Sequence, residues 1–207
     1  PARFVLRYAP AIRAYLLSIQ RSAGDSDDVA QDFLMRVLTR GFSEDQVTRG
    51  RFRDYLRVAV RNAAIDHLRQ KRIPSLTDTM LEAQTGSVEA NWVDEWRACL
   101  LEKGMQQLEA HERQSPGNLF FTAIRLTVDH PDKNSSELAE LASQISGRTF
   151  SAAAFRQQLG RGRRKLAEIL VEEVRQTLKQ PTSDDIADEL RELGLWPYVE
   201  DYVSEIL

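Results

Sequence analysis

Cysteine is nearly absent: the 207 residues contain one, Cys99. An internal disulfide is thereby excluded. With three scattered histidines, His67, His111 and His130, a zinc site built from cysteine and histidine is close to excluded as well. Aromatic residues make up only 8% of the chain. No apolar run approaches the roughly eighteen residues of a membrane span. The opening residues, Pro1 to Arg7, carry no apolar signal-peptide core, so a cytoplasmic setting is expected. A surplus of positive charge is missing too. Lys plus Arg is 28 against 31 Asp plus Glu, a formal net charge of −3, which taken alone discourages a polyanionic partner. What is present is a 42% apolar fraction, enough to build the core of one large domain or two small ones.

Charge resolved along the chain gives a different picture. Arg49 to Arg72 carries Arg49, Arg51, Arg53, Arg57, Arg61, Arg69, Lys71 and Arg72 against Asp54 and Asp66, a net +6. Arg148 to Lys165 carries Arg148, Arg156, Arg161, Arg163, Arg164 and Lys165 with no acid, again +6. Everything else therefore sums to −15. Two basic stripes on an acidic body are what a polyanion would meet locally, whatever the average.

The apolar spacing is helical almost throughout. Val5, Tyr8, Ile12, Tyr15, Leu16 and Ile19 mark a first helix, which Pro10 should delay or kink. Gly24 to Ser26 reads as a break, with Asp25, Ser26 or Asp27 as N-cap of a second helix carrying Val29, Phe33, Leu34, Val37 and Leu38 to near Gly41. Residues 42–50 read as a polar loop. A third helix spans about Arg51 to Arg72 and stops at Ile73-Pro74. Residues 74–90 form a polar linker. A fourth helix covers about Trp92 to Glu112, and a short one Asn118 to Val128. After a turn at His130 to Asn134, Ser135 or Ser136 caps a helix that stops at Gly147. Thr149 or Ser151 caps the next, which continues to about Leu178. Two short amphipathic segments, Asp184 to Leu193 and Pro197 to Leu207, complete the pattern. The expected fold is all-α: two small helical domains, residues 1–73 and 91–180, joined by the linker 74–90, with an acidic helical C-terminal extension, 181–207.

The pair Ser136–Ile145 and Ser151–Lys165 has the layout of a helix-turn-helix, whose second helix enters the major groove. Small Ala152, Ala153 and Ala154 allow close approach. Arg156, Gln157 and Gln158 carry groups able to pair with base edges, and Arg161, Arg163, Arg164 and Lys165 suit phosphates. In the other basic helix, Phe52, Tyr55 and His67 are interleaved with arginines, and Asn62 lies among them. Aromatic rings beside a basic track suit single-stranded nucleic acid, where bases stack and the backbone is neutralised. Phe52 and Tyr55 at helical spacing are more often core residues than stacking platforms.

Asp25–Leu38 reads DSDDVAQDFLMRVL and Gly50–Arg69 reads GRFRDYLRVAVRNAAIDHLR. These stretches resemble region two of extracytoplasmic-function (ECF, group 4) sigma factors, members of the sigma-70 family. The family pattern is an acidic D-x-E-D-hydrophobic-x-Q-[DE]-hydrophobic run, then F-x-x-[WY]-L and R-N-x-x-x-D-x-L-R. Ser151–Leu166, SAAAFRQQLGRGRRKL, is similar to the region-four recognition helix of the same family. The resemblance implies a factor that recruits RNA polymerase core and opens promoter DNA. Asp28, Gln31, Asp32, Phe33, Leu34 and Arg36 would dock on the clamp coiled coil of the largest polymerase subunit. Asn62 would lie near the melted −10 strand, flanked by Tyr55, Arg61, Asp66, Arg69, Lys71 and Arg72, and a flipped base would sit against the loop within Arg40 to Gly50. Ser151, Ala153, Ala154, Arg156, Gln157, Gln158 and Arg161 would read the −35 element. An anti-sigma factor is a further partner the family allows. The connection Ser143 to Phe150 is longer than the short turn usual in the family, and His130 to Asn134 lengthens the approach to it.

Two other classes are open on the residues alone: a core-independent helix-turn-helix regulator using only the Ser136–Lys165 pair, and a helical interaction module with acidic partners. An enzyme is the weakest reading. Gly160-Arg161-Gly162 inside a basic helix is no phosphate loop, the histidines are not spaced as a catalytic or metal set, and no cofactor is expected. Segment 181–207, with eight acidic residues against Arg191 alone, reads as a helical cap on the second domain or as a screen over a basic helix.

Overall fold

The computed structural model describes residues 5–19, 23–41, 51–70, 85–115 and 117–207. Every regular element among them is helical. In order they are a 3₁₀ turn at Leu6–Tyr8, α1 (Ala9–Ile19), α2 (Ala23–Arg40), α3 (Phe52–Gln70), α4 (Thr85–Gln114), α5 (Phe120–Asp129), α6 (Ser135–Ser146), α7 (Ala152–Arg175), α8 (Ser183–Glu192), a 3₁₀ turn at Trp196–Tyr198, and α9 (Val203–Ile206). The residues 42–50 and most of the linker, 74–84, lie outside the described residues, as do Lys71 and Arg72. No helix among the described residues is long and apolar enough to cross a membrane.

The chain divides into two compact units. The first comprises residues 1–99 with Arg175–Thr182. Pro10 occupies the second position of α1, where a missing N–H costs nothing because first-turn donors have no intrahelical partner. The inward stripes are Ile12, Tyr15 and Leu16 of α1, Val29, Phe33 and Val37 of α2, and Leu56, Val60 and Ala64 of α3. The expected break at Gly24 is absent: α2 is already helical at Ala23. A glycine inside a helix costs only about 1 kcal/mol, which burial of the Val29–Phe33–Val37 stripe outweighs. At the other end Gly41 takes φ +73° and donates its N–H to the Val37 carbonyl at 2.9 Å, closing the helix where expected.

The largest difference from expectation concerns α4. It starts at Thr85, so residues 85–90 of the expected linker are helix, and its first half belongs with the first unit. Trp96 stacks on Tyr8 with centroids 3.6 Å apart and planes 1° from parallel, and Trp92 meets Tyr15 edge-on at 5.2 Å. Both indoles are fully buried. Burying two large indoles against these tyrosines is what holds this stretch to the first unit. Residues 175–182 join the same unit, where the Phe52 N–H reaches the Thr177 carbonyl at 3.3 Å.

The second unit holds Leu100–Val174 and Ser183–Leu207. One cluster packs Ala123 and Leu126 of α5, Leu138, Ala139 and Ala142 of α6, and Phe155 of α7. A glycine brings α5 and α7 into backbone contact: a Cβ on Gly162 would lie 2.9 Å from the Phe120 carbonyl oxygen. Buried Glu173 of α7 is held by the Lys103 ammonium at 2.8 Å and by the Gln107 amide, both from α4. Leu190, Leu193, Leu195 and Val199 of the acidic segment are fully buried here, whereas Tyr198 is largely exposed.

Helix α6 is capped by Asn134, neither by Ser135 nor by Ser136. The Asn134 side chain accepts from the N–H groups of Ser136 and Glu137, and the Glu137 carboxylate accepts from the Asn134 N–H at 2.8 Å. This reciprocal box satisfies more orphan donors than a serine hydroxyl placed one or two residues later. The helix stops at Gly147 in the left-handed region, φ 68°, and Ser151 caps α7 by accepting from the Ala154 N–H at 3.1 Å.

Candidate nucleic-acid interface

Two helical surfaces collect the residues that sequence reasoning singled out, one in each unit. In the first unit, Tyr55, Val58, Asn62, Asp66 and Arg69 recur at three- and four-residue steps and so share one face of α3. Asn62, Asp66 and Arg69 are exposed, Arg61 is half-buried beside them, and Val58 is 53% exposed. Arg69 lies 3.9 Å from Asp66, a loose pair between exposed groups. Tyr55 is half-buried, and burial raises the pKa of its phenol above the ordinary value, so it presents a neutral hydroxyl. Phe52 is half-buried like Tyr55, its ring 6.4 Å from that of Tyr55 and 6.3 Å from that of buried Trp96, so it bridges this face and the core. The face therefore combines an exposed amide, half-buried aromatic edge, an apolar patch and guanidinium groups.

On α2, Asp28, Gln31, Asp32 and Arg36 are exposed and Leu34 is half-buried. Phe33 departs from the set. It is 6% exposed, on the inward stripe with Val29 and Val37, and offers no surface to a partner. Met35, 54% exposed, and Leu38 stand beside the acids instead. Sequence reasoning passed over Met35, although its place three residues after Asp32 on the polar face was the available signal. A cleft of about 390 Å³ separates α2 from α3, lined by Asp32, Met35 and Arg36 on one side and by Asp66 and His67 on the other. The buried Nε2 of His67 has no hydrogen-bond partner among the described residues.

In the second unit, α6 and α7 are joined by residues 147–151. The connection is shorter than the sequence suggested because α6 continues through Ser146. It is tied down by the Phe150 N–H donating to the Ser143 hydroxyl at 2.9 Å. Ala153, Gln157, Arg161 and Arg164 follow one another at helical steps, and all four are exposed. Arg156 is exposed too, and Ala154 is half-buried. Two expected contact residues serve the fold instead. The Ser151 hydroxyl is the N-cap, and the Gln158 side-chain oxygen accepts the Leu119 N–H at 2.9 Å, satisfying the orphan donor ahead of α5. The cationic face of α7 is thus narrower than the composition suggests. It is flat near its start, where the alanines leave the backbone accessible, and increasingly charged toward Arg164.

The described residues contain no cluster of histidine, cysteine and carboxylates able to hold a metal ion. Buried Cys99 sits in the α4 core.

In comparison with known families, residues 4–73 match the family model described as Sigma-70 region 2. The match covers about a third of the chain and contains α1, α2 and α3. No curated protein and no solved structure matches the chain.

Proposed function

We propose that this protein is a bacterial sigma factor of the extracytoplasmic-function type, which binds RNA polymerase core, recognises a promoter and starts transcription from it. The observation that carries this reading is the Sigma-70 region 2 match over residues 4–73. It falls on the segment whose α2 and α3 present an acidic-apolar face and an amide-guanidinium face to solvent. In this reading Asp28, Gln31, Asp32, Met35 and Arg36 meet the polymerase clamp. Apolar Met35 and Leu38 supply burial at the centre of that contact, and the surrounding charges set its register. Asn62 contacts the displaced −10 strand, with Tyr55 as a neutral stacking edge and Arg61 and Arg69 on the backbone.

The α6–α7 pair acts as the helix-turn-helix that holds duplex DNA at −35. Ala153 approaches the groove floor, Arg156 and Gln157 face base edges, and Arg161 neutralises phosphate. No bond of a substrate is made or broken by these groups: the protein is proposed to work by binding energy alone, in the cytoplasm. Duplex contacts anchor the complex, and contacts to unstacked bases offset an unpairing cost of a few kcal/mol. Run-off transcription with purified core on genomic promoter fragments tests the proposal. Wild type yields defined transcripts; Asn62→Ala reduces open-complex formation, and Arg156→Ala reduces promoter affinity. Absence of any protein-dependent transcript contradicts the proposal.

A further inference from the structure

The acidic segment Ser183–Leu207 is built onto the second unit by apolar burial. Ile186, Leu190, Leu193, Leu195 and Val199 are each at most 2% exposed, and the Ser183 hydroxyl donates to the Leu207 carbonyl at 3.2 Å, tying the two ends of the segment together. Its one base is consumed internally: Arg191 pairs with Asp188 at 2.8 Å and lies 4.2 Å from the Trp196 ring centroid. Glu200 and Asp201 form no ion pair among the described residues. Toward α7 the segment presents acid against base. Glu205 Oε2 lies 3.0 Å from an Arg164 guanidinium nitrogen, closer than the Glu168 carboxylate of α7 itself, 3.6 Å from Arg164 Nε, and Asp201 lines one groove with Arg163. Arg164 ends the exposed stripe Ala153–Gln157–Arg161–Arg164, the face assigned above to duplex DNA.

From this placement we infer that Glu205 is an intramolecular phosphate mimic: its carboxylate occupies the Arg164 guanidinium where a DNA phosphate oxygen would otherwise bind, and so it limits the DNA footprint of α7. The inference rests on the reading of α7 as a DNA-contacting helix. A carboxylate offers a guanidinium the same charge-assisted oxygen acceptors as a phosphate. The pair is half exposed on both sides, 51% and 59% of each side chain, so it is weak and open to exchange. Its effect is therefore a modest, salt-dependent tax on DNA binding. Asp201, in the same groove as Arg163, extends that tax by repelling a backbone drawn toward it. Such a device suppresses nonspecific duplex binding by the free protein while leaving Arg156, Gln157 and Arg161 available.

The test is binding of the full chain to a fluorescein-labelled mixed-sequence duplex of about three helical turns, followed by anisotropy from about 50 to 300 mM KCl. Glu205→Gln, an exposed substitution that keeps the shape, is expected to tighten binding roughly two- to five-fold at the low-salt end. It also steepens the slope of log affinity against log salt by about 0.9, the signature of one more phosphate contact. In an Arg164→Ala background Glu205→Gln has no effect. A silent Glu205→Gln overturns the inference, and so does an equal tightening in the Arg164→Ala background, which would be general charge relief. The two levels separate through Arg156→Ala. If wild type binds and Arg156→Ala weakens it while Glu205→Gln is silent, only the inference falls. If no variant binds duplex, with or without core polymerase, the DNA-contacting role of α7 falls with it.

Discussion

Gly160 and Gly162 offer a matched pair of perturbations on the helix that carries the expected duplex-reading face. Both lie inside α7, where replacing glycine by alanine ordinarily stabilises by about 1 kcal/mol through helix propensity. At Gly160 a Cβ would meet nothing within 4 Å, so Gly160→Ala is expected to realise that gain. At Gly162 the Cβ would sit 2.9 Å from the Phe120 carbonyl oxygen and 3.1 Å from its Cα. These are backbone atoms at the start of α5, with no rotamer to yield, so α5 and α7 must separate. Overpacking of that kind costs about 1–3 kcal/mol. Net of the propensity gain, Gly162→Ala is expected to destabilise by about 0–2 kcal/mol, and the two variants to differ by about 1–3 kcal/mol. Urea unfolding followed by circular dichroism measures this directly, with the shift in midpoint at constant m-value as the readout. Equal stabilisation by both substitutions would refute the close α5–α7 approach. The same approach positions α7, so Gly162→Ala should also weaken duplex binding where Gly160→Ala does not.

Other outcomes follow from single contacts. Asn134→Ala removes the side-chain half of the α6 capping box, leaving the residue-134 N–H on the Glu137 carboxylate, and is expected to cost about 1 kcal/mol, while Asn134→Asp retains most of the box; urea midpoints decide. Lys103→Ala removes the Lys103 ammonium from the buried Glu173 carboxylate and is expected to cost about 3–5 kcal/mol, whereas the Lys103→Met, Glu173→Leu double variant is near neutral, a contrast that thermal melts resolve. Trp96→Ala forfeits the stack on Tyr8 and is expected to cost about 3–5 kcal/mol. Trp96→Phe keeps a ring and deletes a buried indole N–H that has no acceptor among the described residues, so its loss should be much smaller.

Much of the fold was legible because period and punctuation are local. The stripe Val29–Phe33–Val37, the placement of Pro10, the stops at Gly41 and Gly147 and the Ser151 cap all follow from residues within a turn or two. What was missed depends on partners distant in the chain. The periodicity of Trp92 and Trp96 predicts a helix, but only Tyr8 and Tyr15 explain why that half of α4 joins the first unit. Gly162 looks like a helix defect until the Phe120 backbone is set against it. Gln158 has the chemistry of a base reader, yet the Leu119 N–H claims its oxygen. Phe33 belongs to a matching motif and still faces inward, because the motif records residue type and the helix sets direction. The Asn134 box was readable in Asn134-x-x-Glu137 and was obscured by two adjacent serines that also satisfy the cap preference. The charge split was legible in full, whereas which cations remain free for a partner depended on the placement of Glu205 and Glu168 beside Arg164.

The central claim is that the α2 surface engages RNA polymerase core. It is tested most directly by size-exclusion co-elution of the full chain with purified core at micromolar concentration, for wild type, Asp32→Arg and Arg156→Ala. The prediction is co-elution by wild type and by Arg156→Ala, and separation of Asp32→Arg from core with its circular dichroism spectrum unchanged. Wild type eluting apart from core, or Asp32→Arg co-eluting as wild type does, would contradict it.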